Sequence, residues 1–157
     1  MNPDTPAIRK VAASGIPFRV VSTERPNSAQ ESAALQGIEV GQLIRTIVVR
    51  RAAGDYVFVL VPGGRQIDWP LLRAHLGVSR LSLPNHEEAR DATGYERGAI
   101  TPLASATAWP VVADATIAER DRVAIGAGVH GVNVHVEPAD LIRILDAEVA
   151  QVTRAGS

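Results

Sequence analysis

The most regular apolar pattern lies in the middle of the chain. Two runs rich in β-branched residues, Thr46-Ile47-Val48-Val49-Arg50-Arg51 and Tyr56-Val57-Phe58-Val59-Leu60-Val61, are separated by Ala52-Ala53-Gly54-Asp55. Runs of this composition that are joined by a short, glycine-containing connection are typical of a β-hairpin. We therefore expect this hairpin to form the centre of a sheet.

Helix boundaries are marked by polar caps before apolar stretches and by glycines after them. These signals predict helices over residues 4–14, from the Ser28 cap to Gly37, from the Asp68 cap to His75, and from the Asn85 cap to Gly94. A last helix is predicted to open at Glu137 and to continue as far as Val152. Its length is inferred from the helical spacing of Leu141, Ile142, Leu145, Val149 and Val152.

Short β-branched runs predict further strands over residues 17–22, 80–83, 111–113, 122–125 and 132–136. Helices interrupt these strands irregularly, so the chain lacks the regular βαβ series of a doubly wound parallel sheet. We predict an α+β fold with a curved, mixed, partly barrel-like sheet and flanking helices. The length of 157 residues favours a single domain over residues 1–157.

Composition narrows the chemistry and the compartment. The chain has no cysteine, which excludes disulfides, thiolate metal sites and a cysteine nucleophile. It contains neither a run of 18 apolar residues nor a signal-peptide pattern in residues 1–10. We therefore expect a cytoplasmic protein without a membrane partner.

The charge limits contact with nucleic acid to a small area. A formal net charge of −1 argues against a protein that coats long stretches of nucleic acid, because such binding needs a strongly basic face. Lys10 is the single lysine among 16 basic residues. Any chemistry that needs a lysine elsewhere is therefore excluded.

Familiar catalytic motifs are missing. The four histidines show no zinc-binding spacing, and neither a G-x-S-x-G elbow nor a P-loop is present. Gly126-Ala127-Gly128-Val129-His130-Gly131 has the spacing of a dinucleotide fingerprint, but a predicted strand follows it where that motif requires a helix. We expect no metal site and no cofactor.

Several short segments occur in an order that resembles one protein family. They are Ile44 to Val49, Val57 to Gly63, Gln66-Ile67-Asp68, Gly94-Tyr95 with Gly98 and Thr101-Pro102, Gly126 to Gly131, and Pro138-Ala139-Asp140-Leu141. Over residues 28–152 the chain resembles the YbaK/EbsC family, the free-standing form of the editing domain associated with prolyl-tRNA synthetase. The resemblance implies a compact α+β domain that hydrolyses the ester of mischarged aminoacyl-tRNA. The implied partners are the acceptor end of aminoacyl-tRNA and prolyl-tRNA synthetase.

The resemblance places the family's essential lysine on Arg45, and Thr46 matches the threonine that follows it. Arginine can hold a carbonyl oxygen or the terminal phosphate through its planar donor fork, but it stays charged and cannot act as a base. We therefore expect Arg45 to bind and polarise the ester, while the ribose hydroxyl or water carries the proton. The alternative is an arginine at a strand edge that is exposed to solvent.

Two loops complete the site that the resemblance implies. The family's G-x-x-x-P loop, which borders the aminoacyl pocket, matches Gly98-Ala99-Ile100-Thr101-Pro102. We expect Gly98 to be catalytic, together with Arg45 and Thr46, and the other four residues to bind substrate. Thr101 and Leu103 depart from a frequent serine and phenylalanine. The remaining expected substrate-binding residues are Tyr95, Gly126, Gly128, Gly131 and Asn133.

Structural roles stay open for several of these residues. Tyr95 equally fits a packing position over the core, and Thr46 fits an inward core position. Gly98 and Pro102 control loop geometry before they touch any substrate. Arg65, Arg73 and Arg80 fit a solvated face better than contact with the tRNA acceptor end.

Two functions of different classes follow. One is trans-editing hydrolysis of Cys- or Ala-tRNA(Pro)-like esters, with Arg45 in place of the lysine. The other is a catalytically quiet module of the same fold that binds tRNA or a small ligand.

Overall fold

The two central β-branched runs form a long antiparallel hairpin in the computed structural model, which describes residues 3–156. Ile44 lies opposite Pro62 at one end of the hairpin, and Arg50 lies opposite Tyr56 near the other. The strands are β1 (Arg19–Ser22), β2 (Leu43–Ala52), β3 (Asp55–Pro62), β4 (Arg65–Ile67), β5 (Val111–Asp114), β6 (Val123–Gly126), β7 (Val132–Val136), β8 (Glu148–Ala150) and β9 (Thr153–Ala155). The helices are α1 (Pro6–Ser14), α2 (Ala29–Gln36), α3 (Trp69–Leu76), α4 (His86–Thr93) and α5 (Pro138–Leu145).

Side-chain caps begin four of the five helices, as the sequence predicts. The oxygens of Thr5, Ser28, Asp68 and Asn85 each accept a hydrogen bond from the backbone N–H three residues later. Such a bond satisfies a donor that the helix itself leaves unpaired. Glycines in the left-handed conformation end the same four helices, at Gly15, Gly37, Gly77 and Gly94.

Seven strands form one mixed sheet in the order β1-β7-β6-β2-β3-β5-β8. The β1–β7, β7–β6 and β2–β3 pairs are antiparallel, whereas the β6–β2, β3–β5 and β5–β8 pairs are parallel. The strands β4 and β9 form a separate antiparallel pair. This arrangement confirms the predicted α+β class with a mixed sheet.

The central strand β3 is buried on both faces. Phe58 and Leu60 pack in one apolar cluster, with α1, α5 and β7 contributing to it. Val57, Val59 and Val61 point the other way into a second cluster, which includes Leu72 of α3 and Val152. A strand that is covered on both sides reads as a continuous apolar run, which explains the sequence of β3.

The prediction for the last helix is wrong. The helix α5 ends at Leu145, and Asp146 adopts a left-handed conformation with a φ of 49°. Val149 then lies in β8, which pairs with β5, and Val152 is buried in the second apolar cluster. Strand pairing at Val149 and burial of Val152 in the second cluster therefore override the helical spacing of these two valines.

One other strand prediction is wrong, and one strand pair was missed. Residues 80–83 contribute only an isolated bridge, in which Ser82 pairs with Arg50. The β4–β9 pair was not predicted, because three-residue strands that contain charged residues carry no clear alternation.

A buried carboxylate fastens the C-terminal segment to the sheet. One oxygen of Asp114 accepts the N–H groups of Val152 and Thr153, both at 3.0 Å. Its other oxygen accepts the N–H of Thr116 at 3.1 Å and the Thr116 hydroxyl. Burial by itself would raise the pKa of the Asp114 carboxyl, but these hydrogen bonds hold that pKa below its ordinary value.

We expect Asp114→Asn to lower the free energy of unfolding by about 2–3 kcal/mol, because the amide cannot accept all of these charge-assisted bonds. The lowered pKa means that the carboxylate stabilises the wild type fully above pH 3.8 and loses this effect as the pH falls below it. Urea unfolding between pH 2.5 and 7 measures both effects. The variant should lose less stability on acidification than the wild type does.

Asp55→Asn is the control, because Asp55 is partly exposed and pairs only with Arg51. We expect a change below about 1 kcal/mol for this surface pair. Equal losses of stability in the two variants would contradict the role assigned to Asp114.

Candidate active site

The strand β2 has a stretch of backbone without a neighbouring strand on one side. Its parallel pairing with β6 covers only Leu43 and Ile44. On the same side, the next pairing along β2 is the bridge between Arg50 and Ser82, with N···O distances of 2.8 and 3.1 Å. Between these points, residues 45–49 pair with β3 alone.

The hydrogen-bond pattern identifies which backbone groups face this gap. In an antiparallel pair, successive residues direct their N–H and C=O groups alternately toward and away from the partner. Arg50 bonds to Ser82, away from β3, and the N–H of Phe58 bonds to Pro110, away from β2. Thr46 and Val48 lie four and two residues before Arg50 on the same strand. Their N–H and C=O groups therefore point in the same direction as those of Arg50, into the gap. We call these groups the open edge of β2.

A cavity of about 800 Å³ lies beside the open edge. The segment 43–48 forms one wall, and Gly98, Ala99 and Ile100 form another. The connection from β6 to β7 and the start of α4 close the remaining sides. We call this candidate site the active-site cavity. The Thr46 hydroxyl and the open-edge groups beside it have no hydrogen-bond partner within residues 3–156.

The cavity wall carries positive charge only. Its ionisable residues are Arg25, Arg45, Arg97, His86 and His130, and no aspartate or glutamate of residues 3–156 lines it. None of these three arginines forms an ion pair within that range, whereas eight ion pairs occur elsewhere. Uncompensated arginines around a concave surface favour an anionic ligand.

Arg45 lies on the exposed side of the cavity and does not form a buried floor. Its Nη2 donates a hydrogen bond to the carbonyl oxygen of Arg65 at 2.5 Å. Strand alternation places the side chain on the face of β2 that also carries Ile47 and Val49, whereas Thr46 lies on the other face. One nitrogen of the guanidinium is thus anchored to β4, which leaves its remaining N–H groups available to a ligand.

Gly98 and His130 bring the two predicted loops into contact. Gly98 has a φ of +82°, and a Cβ atom at this position would lie 2.9 Å from Cε1 of His130. His130 is exposed and lines the cavity opposite β2. Because residue 98 has no side chain, the imidazole of His130 can pack closely against this loop.

Tyr95 supports the same two loops from behind. Its hydroxyl donates to the carbonyl oxygen of Leu103 at 2.5 Å, and its ring lies against Gly128, where a Cβ atom would approach within 2.7 Å. Burial raises the pKa of the Tyr95 hydroxyl. Tyr95 therefore joins the loops without lining the cavity.

The structure brings together eight of the twelve site residues that the sequence suggested. Those that line the cavity are Arg45, Thr46, Gly98, Ala99, Ile100, Gly126, Gly131 and Asn133. The other four, Tyr95, Thr101, Pro102 and Gly128, do not line it. Thr101 and Pro102 are buried, and the Thr101 hydroxyl accepts a hydrogen bond from the N–H of Leu103. These four residues shape the loops from behind.

Sequence reasoning missed a chain of polar contacts that runs from the cavity into the core. Ser32 lines the cavity, and its hydroxyl oxygen accepts a hydrogen bond from Gln36. The side-chain oxygen of Gln36 lies 2.9 Å from Nε2 of His135, which is buried. Burial, reinforced by the charges of Arg19 and Arg122, lowers the pKa of the His135 imidazole. Because the side-chain oxygen of Gln36 can only accept, Nε2 of His135 donates this hydrogen bond.

Arg25, Arg97 and His130 were also missed as members of the site. Each lies in a loop where no local pattern marks it as a ligand-binding residue, so only the folded positions of those loops bring them to one cavity. Within residues 3–156, no group of three or more candidate ligands could hold a metal ion. The helices of this range are also too short or too polar to cross a membrane.

Comparison with known proteins identifies the fold and the family. Residues 23–144 match the model of the aminoacyl-tRNA editing domain. The chain is 28% identical to the multifunctional Ser/Thr-tRNA deacylase ProXp-y of Escherichia coli strain K12, over 94% of this chain and 90% of that protein. It is 22% identical to EbsC of Enterococcus faecalis, a candidate Cys-tRNA(Pro)/Cys-tRNA(Cys) deacylase, over 95% of this chain and 93% of that protein.

A solved structure gives the same result for the fold. The crystal structure of a candidate trans-editing enzyme for prolyl tRNA synthetase superimposes with a TM-score of 0.84 at 24% identity, over 98% of this chain and all of that one. The family match covers most of the chain and confirms the resemblance seen in the sequence. The chain belongs to the aminoacyl-tRNA editing domain family.

Proposed function

We propose that this protein hydrolyses the ester bond of mischarged aminoacyl-tRNA in trans, with Cys- and Ala-tRNA(Pro)-like esters as substrates. The observation that carries the proposal is the active-site cavity, which combines unpaired backbone groups with three arginines that form no ion pair, and no carboxylate of residues 3–156 lines it. The substrate has matching chemistry, because an acyl ester is joined there to a polyanionic chain. The family membership and the deacylase names of two relatives support the same reaction class.

Water adds to the ester carbon, the bond from that carbon to the ribose oxygen breaks, and the amino acid leaves as a carboxylate. The ribose hydroxyl is restored and one proton is released. An acyl ester is already reactive, so the protein must chiefly hold it and stabilise the oxyanion that forms. The N–H group of Thr46 or of Val48 is a fixed donor for that oxygen, since the two groups lie about 7 Å apart along β2 and cannot both bind one atom.

Arg45 supplies a permanent positive charge beside these donors. Because a guanidinium keeps its proton at neutral pH, Arg45 polarises the ester or holds the terminal phosphate and leaves proton transfer to other groups. The proton of the attacking water passes to the neighbouring ribose hydroxyl or to solvent. The reaction therefore does not require the ε-amino group of a lysine at residue 45.

The second candidate function is a quiet module that binds tRNA or a small ligand without turnover. One observation favours it: Nη2 of Arg45 is already bonded to the carbonyl of Arg65. A guanidinium that stayed in that position would contribute charge without touching the ester. The experiments on Arg45 below separate the two functions.

Purified protein should release amino acid from a panel of mischarged tRNAs faster than buffer does. The panel contains Cys- and Ala-tRNA(Pro), together with the Ser- and Thr-tRNAs that the name of the E. coli relative indicates. Radiolabelled amino acid remaining on the tRNA is the measurement, with correctly charged Pro-tRNA(Pro) as the control. If no tRNA of the panel lost its amino acid faster than in buffer, the result would contradict the proposed hydrolysis.

Arg45→Ala should lower kcat by ~10²–10³, the usual loss when one oxyanion donor is removed. Arg45→Lys keeps the charge and should stay within ~10-fold of the wild type. Arg143→Ala is the control, because Arg143 is exposed on α5 and pairs only with Asp140. Activity that appears only in the Arg45→Lys variant would instead support the quiet binding module.

Gly98→Ala should lower kcat/KM by ~10-fold or more, since the new methyl group displaces the His130 ring and reshapes the cavity. The matched control is Gly54→Ala, because Gly54 also has a positive φ, of +72°, but has open space around its Cβ position. Both variants should lose about 1 kcal/mol of stability from backbone strain. NMR of the His130 Cε1–H and deacylation kinetics distinguish them, and unchanged kinetics in Gly98→Ala would contradict this account of the loop contact.

A further inference from the structure

A second concave surface adjoins the active-site cavity. It has a volume of about 600 Å³ and is lined by Arg50, Arg51, Ala52, Ala53, Arg73, Ser79, Arg80, Leu81 and Ser82. Four of these nine residues are arginines, and no carboxylate of residues 3–156 lines the surface. We call this surface the second groove.

Two of the four arginines have partners within the fold and two do not. Arg50 pairs with Glu88 at 3.1 Å, and Arg51 pairs with Asp55 at 2.9 Å. Arg73, at the end of α3, and Arg80, in the following loop, form no ion pair within residues 3–156. The second groove therefore holds two guanidinium groups that no carboxylate of the described residues 3–156 neutralises.

The second groove and the active-site cavity meet at the bridge between Arg50 and Ser82. Val48 lines the cavity and Arg50 lines the groove, which places these walls about 7 Å apart along β2. On the facing segment, Leu83 lines the cavity and its neighbour Ser82 lines the groove. A chain that leaves the cavity over this bridge enters the groove directly.

We propose that the second groove binds the sugar–phosphate backbone of the RNA whose acylated 3′ end occupies the active-site cavity. This inference rests on the proposed function and adds the path of the substrate beyond its reactive end. Arg73 and Arg80 contact phosphates of the RNA. The negative phosphates thus supply the ion-pair partners that these two arginines do not have within residues 3–156. Because its net charge is only −1, the protein is expected to bind a short stretch of RNA next to the acylated 3′ end, and not a long one.

The lining of the groove favours RNA over a protein partner. Protein interfaces have an apolar core that is enriched in aromatic residues, whereas the apolar residues here are two alanines and Leu81. Serine hydroxyls and guanidinium groups are donors that suit phosphate oxygens. Contacts of this kind bind RNA of any sequence.

The test uses the double variant Arg73→Gln/Arg80→Gln in the full chain and two kinds of substrate. One is full-length mischarged aminoacyl-tRNA, and the other is a minimal ester, the 3′-aminoacylated terminal adenosine. We expect KM for the full-length substrate to rise ~10-fold or more at unchanged kcat, because charge-assisted bonds are lost. Kinetics on the minimal ester should stay unchanged, since it does not reach the groove.

Binding of uncharged tRNA, measured by fluorescence anisotropy, tests the groove without any hydrolysis. The affinity of the double variant should fall ~10-fold or more, by the same factor for tRNAs of different acceptor-stem sequence. The slope of log K against log salt concentration should decrease by about 1–2, since about one unit is lost for each phosphate contact removed.

The control Arg9→Gln/Arg143→Gln removes the same two charges from exposed arginines on α1 and α5. It should leave tRNA binding within twofold of the wild type. If the control weakens binding as much as the double variant does, net charge rather than the groove is responsible, and the proposal is wrong. The proposal also fails if the double variant binds tRNA normally, or if it impairs only reactions that contain prolyl-tRNA synthetase.

Failure of the groove and failure of the proposed function give different results. If the wild type cleaves the minimal ester and the double variant binds tRNA normally, the groove proposal is wrong and the hydrolase proposal stands. If the wild type cleaves neither substrate and the double variant binds tRNA more weakly, the hydrolase proposal is wrong and the groove proposal stands.

Discussion

The open edge of β2 is the constraint on which the rest of the site depends. A β-strand in the middle of a sheet normally satisfies its backbone on both sides, and unpaired backbone groups are costly unless water or a ligand meets them. Here β2 pairs fully with β3 but loses β6 after Ile44, so Thr46 and Val48 present their peptide groups to a cavity. The rigid hairpin thus holds hydrogen-bond donors that need no reorganisation when a ligand arrives.

The surroundings keep this edge open and set its charge. Glycines at residues 98 and 128 let His130 and Tyr95 pack closely, which holds the two loops against each other beside the edge. Arg25, Arg45 and Arg97 line the same cavity, and no carboxylate of the described residues 3–156 pairs with them. A small anionic or ester-bearing group would therefore find both hydrogen-bond donors and positive charge at one place.

Local signals predicted the elements of the fold better than they predicted its connections. The caps at Ser28, Asp68 and Asn85 and the β-branched hairpin are local, and the structure confirms them. The helix predicted as far as Val152 failed because β8 and β9 are stabilised by strands that are distant in sequence. The cavity combines both kinds of signal: Arg45 and Gly98 were suggested by their motifs, whereas Arg25 and His130 join it only through folding.

The central claim concerns the open edge, and amide hydrogen exchange of β2 tests it most directly. The measurement compares the free protein with a complex of a non-hydrolysable amide analogue of aminoacyl-adenosine. In the free protein, the N–H groups of Thr46 and Val48 should exchange much faster than those of Arg45 and Ile47, which bond to β3. The analogue should slow exchange at Thr46 and Val48 selectively. Equal protection of all four amides in the free protein, or no change with saturating analogue, would contradict the account.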